Sequence, residues 1–118
     1  MRAAGALFEQ RACAALQQAG LALLARNFNT RHGELDLVMR HGGTVVFVEV
    51  RHRVRATHGD AASSVTATKQ ARLISAAGLW LAAHPQHAQR PCRFDVVCYD
   101  GSADDARMSW LRDAFHAG

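Results

Sequence analysis

Lysine is nearly absent from this chain: Lys69 stands alone beside thirteen arginines. Such a skew is usually compositional, so an arginine here can occupy a position where a relative carries lysine. Glutamate is also scarce. Glu9, Glu34 and Glu49 are the only three, and the other seven acids are aspartates. The three cysteines (Cys13, Cys92 and Cys98) are odd in number and lack C-x-x-C spacing. That excludes a disulfide framework and a zinc-ribbon site, and predicts small buried thiols in a reducing cytoplasm. No apolar run approaches the ~18 residues of a membrane helix. Glu9, Gln10 and Arg11 interrupt the N-terminal apolar stretch too early for a signal-peptide core. The seven histidines contain no H-E-x-x-H pattern, and the few aromatics sit in apolar runs, so no stacking platform for single strands is evident.

What is present describes one globular domain over residues 1–118. The length suffices for a core without metal or disulfide, and a charged fraction of 20% is ordinary. A net charge of +4 allows a polyanionic partner without demanding one.

Helix formers fill residues 3–18, and Gly20 follows as a stop. At helical spacing Gly5, Glu9, Ala12 and Leu16 share a face, with Cys13 beside them, so Glu9 lies in an apolar stripe, where a lone carboxylate is costly. Residues 21–28 (LALLARNF) read as a buried strand, and NTRHG as a turn. In ELDLVMR, alternation places Leu35, Leu37 and Met39 on one face and Glu34, Asp36 and Val38 on the other. HGG (41–43) predicts a hairpin turn into TVVFVEVRHR. There Val46, Val48 and Val50 share one face, and Phe47, Glu49, Arg51 and Arg53 the other. A polar loop over 54–63 contains His58, Gly59 and Asp60. It leads to a helix over about residues 66–83, capped by Ser64 or Thr66, whose inner stripe is Leu73, Ala76, Ala77 and Trp80 and extends back to Lys69. RFDVVCYD (93–100) is a further strand, and MSWLRDAF begins as a strand with a helical reading open after it. The order α-β-β-β-α-β predicts a mixed α/β sandwich around one sheet.

The inward polar residues are then Glu9, Asp36, Glu49, Arg51 and Lys69. Two carboxylates on neighbouring strands suit a hard divalent cation such as Mg²⁺. A cation beside them can orient a phosphate, and a bound metal can activate water for phosphodiester attack. The residues alone leave a second reading open: a structural ion-pair cluster in which Asp36 accepts from Arg51.

The segments GELDLV, VVFVEVRHR, SVTATKQARL and RFDVV, in this order, resemble the YraN-like uncharacterised bacterial family. That family is similar to archaeal Holliday junction resolvases and to the restriction-endonuclease-like nucleases with their D-x(n)-E-x-K signature. The likeness spans nearly the whole chain. It implies a restriction-endonuclease-like three-layer sandwich, a central mixed sheet flanked by helices. It implies Asp36 and Glu49 as ligands of Mg²⁺ or Mn²⁺, with the Val50 carbonyl joining them, and Glu9 as the acidic residue of the first helix. Asp36, Glu49, Arg51, Glu9 and Lys69 would form the catalytic set of an endonuclease acting on DNA, including branched DNA. Arg51 departs from the signature by standing in place of lysine. It can grip a phosphate in two places but stays protonated and cannot act as a general base. The alternative is a nucleic-acid-binding or assembly protein that keeps the fold and has lost turnover. Arg31, Arg53, Arg55, Lys69 and Arg72 would contact phosphates. Resolvase relatives act as dimers, which allows a homodimer here, although no sequence feature identifies an interface.

Blander roles fall to the remaining residues. Glu34 reads as a turn-flanking surface acid at the site rim, and Asp95 as a structural partner of Arg93 or of a neighbouring strand's arginine. His52 alternates away from the site face. His84 and His87 read as loop surface, and Trp80 and Trp110 as packing residues.

Overall fold

The computed structural model describes residues 3–54 and 64–117. The loop residues Arg55, His58, Gly59 and Asp60 lie outside them. Helix α1 (Ala3–Gln18) buries Phe8, Ala12, Cys13 and Leu16. It closes with Gly20 at φ 100°, while Leu21 N–H donates to the Leu16 carbonyl and Gly20 N–H to that of Gln17, both at 3.0 Å. This pairing satisfies carbonyls that a helix end leaves open, and it needs the left-handed conformation that glycine adopts freely.

Five strands follow: β1 (Ala22–Asn29), β2 (Glu34–His41), β3 (Thr44–Arg53), β4 (Cys92–Asp100) and β5 (Arg107–Phe115). They form one sheet in sequence order. Helix α2 (Ala67–Ala83) links β3 to β4, so that pair alone is parallel and the sheet is mixed. The full order is α-β-β-β-α-β-β, an α/β domain with a helix on each face. The β2–β3 hairpin turns on Gly42 and Gly43, with His41 opposite Thr44 and Gly42 at φ 59°.

The α1 face of the sheet packs Leu37, Met39, Val46 and Val48 against Phe8 and Leu16. The α2 face packs Val38, Val45, Phe47 and Val96 against Leu73, Ala76, Ala77 and Trp80, the stripe anticipated for this helix. Thr66 caps α2, its hydroxyl accepting from Lys69 N–H at 3.2 Å. His84, the C-cap, stacks on Trp80 at 4.1 Å and also bonds the Trp80 carbonyl, and His87 lies 5.5 Å from the same ring. These histidines therefore pack on the core's edge and are not free loop surface.

Four further expectations are corrected. β1 is an edge strand, mostly half-exposed or exposed, with a register shift between Leu23 and Ala25. Its apolar run reads as buried because Leu21, which is buried, precedes the strand. β5 stays extended to Phe115: the irregularity that suggests a helix is a left-handed Asp113 (φ 54°) beside a register shift against β4. Leu35 packs on the α2 side, not with Leu37 and Met39. Cys92 is exposed, whereas Cys13 and Cys98 are buried. Among the described residues no helix is long and apolar enough to cross a membrane.

The displaced Leu35 marks the feature that positions the site. β2 pairs with β3 only from Leu37–Val48 to His41–Thr44. Beyond Leu37, β2 stays with β1 as far as Glu34, and β3 stays with β4 as far as Arg53. The sheet thus forks between its second and third strands. At the fork, Asp36 Oδ2 accepts from Val50 N–H at 2.9 Å, a carboxylate taking the place of a strand carbonyl.

Candidate metal and nucleic-acid site

The fork opens into a cavity of about 850 Å³. Asp36 and Glu49 face it from β2 and β3, Arg51 continues β3 at its side, and Lys69 and Arg72 enter from the start of α2. Gly5, Phe8 and Glu9 bring the first half of α1 to the opposite wall. The cavity is reached from both helical layers because the two strands have separated. Glu9, Arg31, Asp36, Glu49, Val50, Arg51, Lys69 and Arg72 all line it.

The carboxyl groups of Asp36 and Glu49 hydrogen-bond each other. Burial, then the charge of Glu49, pushes the Asp36 carboxyl up to about 7, although the Val50 N–H opposes this. Burial likewise raises Glu49, against the lowering influence of its bond to Asp36 and of the Arg51 and Lys69 charges. Two acids this close cannot both ionise without a compensating cation. Arg51 supplies part of that compensation, its Nη1 standing 3.8 Å from Glu49 Oε2. Its Nε is buried with no hydrogen-bond partner among the described residues. A buried donor in that condition costs free energy unless a ligand accepts from it.

Among the described residues no three His, Cys, Asp or Glu side chains converge to cage a metal on their own. A cation here would take two carboxylates and complete its shell with water, carbonyl or phosphate oxygen. That donor set fits Mg²⁺, which commonly binds through one or two carboxylates and keeps its waters.

The turn between β1 and β2 forms another wall. Thr30 Oγ1 accepts from His32 N–H and Gly33 N–H, each at 3.0 Å, and donates to the Gly33 carbonyl at 2.7 Å. A Cβ on Gly33 would lie 2.5 Å from the Arg72 carbonyl oxygen, so glycine is required for this turn to rest on α2.

The remaining arginines fall elsewhere. Arg53 holds Asp100 through Nε at 2.7 Å and Nη2 at 3.0 Å, and is not part of the cavity wall. Its bond keeps the Asp100 carboxyl below the usual carboxylate range. Arg55 lies outside the described residues.

Several cavity residues escape the sequence reading. Glu34 is exposed and flanks the turn at the cavity rim, as anticipated, and its charge raises both Asp36 and Glu49, an influence the sequence reading did not include. Its placement two residues before Asp36 was the available signal. Asn29, Thr30 and His32 enter through the turn. His52 alternates to the α1 side as anticipated, stacks on Phe8 at 4.0 Å, and donates from Nε2 to the Gly101 carbonyl at 2.7 Å. It still reaches the cavity edge because the fork exposes both faces of β3.

Comparison with known proteins agrees with the motifs. The chain is 54% identical over 111 residues to a UPF0102 protein of Xanthomonas campestris pv. campestris, covering 94% of this chain and 89% of the relative. A UPF0102 protein of Pseudomonas fluorescens is 51% identical over 108 residues, 91% and 88% of the two chains. One of Burkholderia pseudomallei is 52% identical, covering 98% and 77%. The family model described as Uncharacterised protein family UPF0102 matches residues 8–99, a span from α1 through β4 that contains the whole fork, and the chain belongs to that family.

Proposed function

We propose that this domain hydrolyses phosphodiester bonds in nucleic acid, DNA foremost, with Mg²⁺ or Mn²⁺ held by Asp36 and Glu49. The observation that carries the reading is the pair of mutually bonded carboxyls beside an arginine whose buried Nε lacks a partner.

The protein's own groups divide the work. Asp36 and Glu49 hold the cation, and the Val50 N–H fixes the Asp36 carboxylate. When bound there, the cation would supply Lewis acidity for attack on the phosphodiester. Arg51, whose side chain is 27% exposed, offers its guanidinium to an oxygen of the scissile phosphate. Lys69, on the capped first turn of α2, adds positive charge where the phosphate becomes more negative. Arg51 stays protonated, so this site uses a fixed charge where the resembling nucleases carry lysine. Glu9 lines the same cavity from α1. Branched DNA enters the proposal through the resolvase likeness alone, as does a homodimer, and a fold does not fix a substrate.

A second reading has one specific observation in its favour, the replacement of lysine by Arg51. On that reading the domain binds nucleic acid without cutting it. A single experiment separates the two: labelled four-way junction, duplex and single-stranded DNA incubated with and without Mg²⁺ or Mn²⁺, using wild type, Glu49→Ala and Arg51→Lys. The nuclease reading expects metal-dependent cutting by wild type and none by Glu49→Ala. Cutting by Arg51→Lys alone would favour a binding protein silenced at one residue. No cutting by any form, with binding that falls steeply with salt, would leave only the non-catalytic reading.

A further inference from the structure

We infer that the turn over residues 29–33 and the first two turns of α2 form a second anion subsite. It holds a backbone phosphate adjacent to the one presented to Asp36 and Glu49, so the preferred ligand is a strand with at least two consecutive phosphates. The inference rests on the reading of the cavity as a polynucleotide site, and it adds the register in which the strand lies.

The argument starts from how the turn is held. Thr30 closes it with three hydrogen bonds from a single hydroxyl, and the Thr30 N–H donates to the Gly33 carbonyl at 2.8 Å. Gly33 then lies against the backbone of α2 at Arg72, closer than any side chain would permit. Two elements distant in sequence are thereby locked together, and each carries one arginine, Arg31 and Arg72, into the same cavity. Both residues are exposed, and no ion pair holds either guanidinium among the described residues. Arg53 is the contrast, because Asp100 occupies it on two sides.

Free guanidiniums on a rigid frame suit phosphate oxygens, and a pre-set frame loses little freedom when it binds. Arg51 and Lys69 already serve the phosphate nearest the carboxylates. Arg31 and Arg72 are left for the next one along the strand. A diester with a single phosphate would fill one subsite only.

The test is fluorescence anisotropy in EDTA, which suspends cleavage. The probes are labelled thymidine oligomers with one phosphate, with two, and with many. Wild type should gain on the order of tenfold in affinity from one phosphate to two, the worth of a charge-assisted contact. Arg31→Gln/Arg72→Gln should lose that gain. On the longest probe it should flatten the salt dependence by ~0.7 in log K against log salt, for the one phosphate no longer neutralised. Arg90→Gln/Arg107→Gln removes the same charge from exposed positions outside the cavity and should keep both properties. Gly33→Ala, checked for folding by circular dichroism, should act like the arginine pair with its charges intact. If Gly33→Ala does not fold, the two arginine doubles decide.

The subsite is overturned if the gain persists without Arg31 and Arg72, if the control double loses as much, or if wild type binds no oligomer. Adding Mg²⁺ to the same samples separates the two proposals. Binding with the expected pattern but no cutting would sink the nuclease and leave this subsite standing.

Discussion

Two buried aspartates, on strands either side of β3, behave in opposite ways. Asp95 on β4 is fully buried and meets four donors: Arg93 Nε at 3.0 Å, Arg93 Nη2 at 3.2 Å, Trp110 Nε1 at 2.9 Å and Asp113 N–H at 2.9 Å. Asp36 on β2 is 5% exposed, accepts from the Val50 N–H, and faces a second carboxyl across the fork. Both follow an apolar residue and precede another in strands of similar composition (ELDLV and RFDVV). The difference lies in what the third dimension supplies. Asp95 is saturated and stitches the β4–β5 register shift, so it is spent on structure. Asp36 is under-supplied and opens to a cavity, which is where the proposed cation would bind.

The contrast can be broken first where it should be largest. Glu49→Ala should abolish metal-dependent cleavage, a loss on the order of 10³-fold or more, because half of the carboxylate pair goes. Asp95→Ala should do the reverse. Its donors would be left buried and unpaired, and chemical denaturation should show a loss of about 3–5 kcal/mol. Equal effects of both substitutions on stability would erase the distinction.

A subtler outcome concerns pH. The folded Asp36 carboxyl sits near 7, above its ordinary 3.8, so it favours the folded state fully at low pH. That contribution is lost as pH rises through about 7. The metal-free protein should therefore melt at a lower temperature at pH 8 than at pH 5. Asp36→Asn should shrink the fall, leaving the part due to Glu49, whose carboxyl is also raised. Mn²⁺ should restore more stability at pH 8 than at pH 5, since it needs the ionised pair. A melting temperature that rises from pH 5 to pH 8 would contradict this account of Asp36. The smallest effect is a control on the frame: Thr66→Ala removes the α2 cap and should cost about 1 kcal/mol in a thermal melt.

Much of this was legible in the sequence because it depends on periodicity. Strand parity placed Glu49 and Arg51 together, and helical spacing set Lys69 above Leu73 and Trp80. The Asp95–Arg93 pair, two residues apart on one strand face, was legible for the same reason. The fork was not. Alternation assumes that a strand keeps its partner, and β2 exchanges a backbone acceptor for the Asp36 carboxylate just where the site opens. That exchange carried Leu35 to the other face and drew Glu34 into the cavity. The edge character of β1 and the left-handed Asp113 of β5 depend on which strands lie beside them, and local pattern does not encode that.

The most direct test of the central claim is calorimetric titration of Mn²⁺ into wild type, Asp36→Asn and Glu49→Gln at pH 8. The account expects saturable binding by wild type that either substitution removes, with all three proteins folded. Binding that survives both substitutions, or a folded wild type that takes up no Mn²⁺, would contradict it.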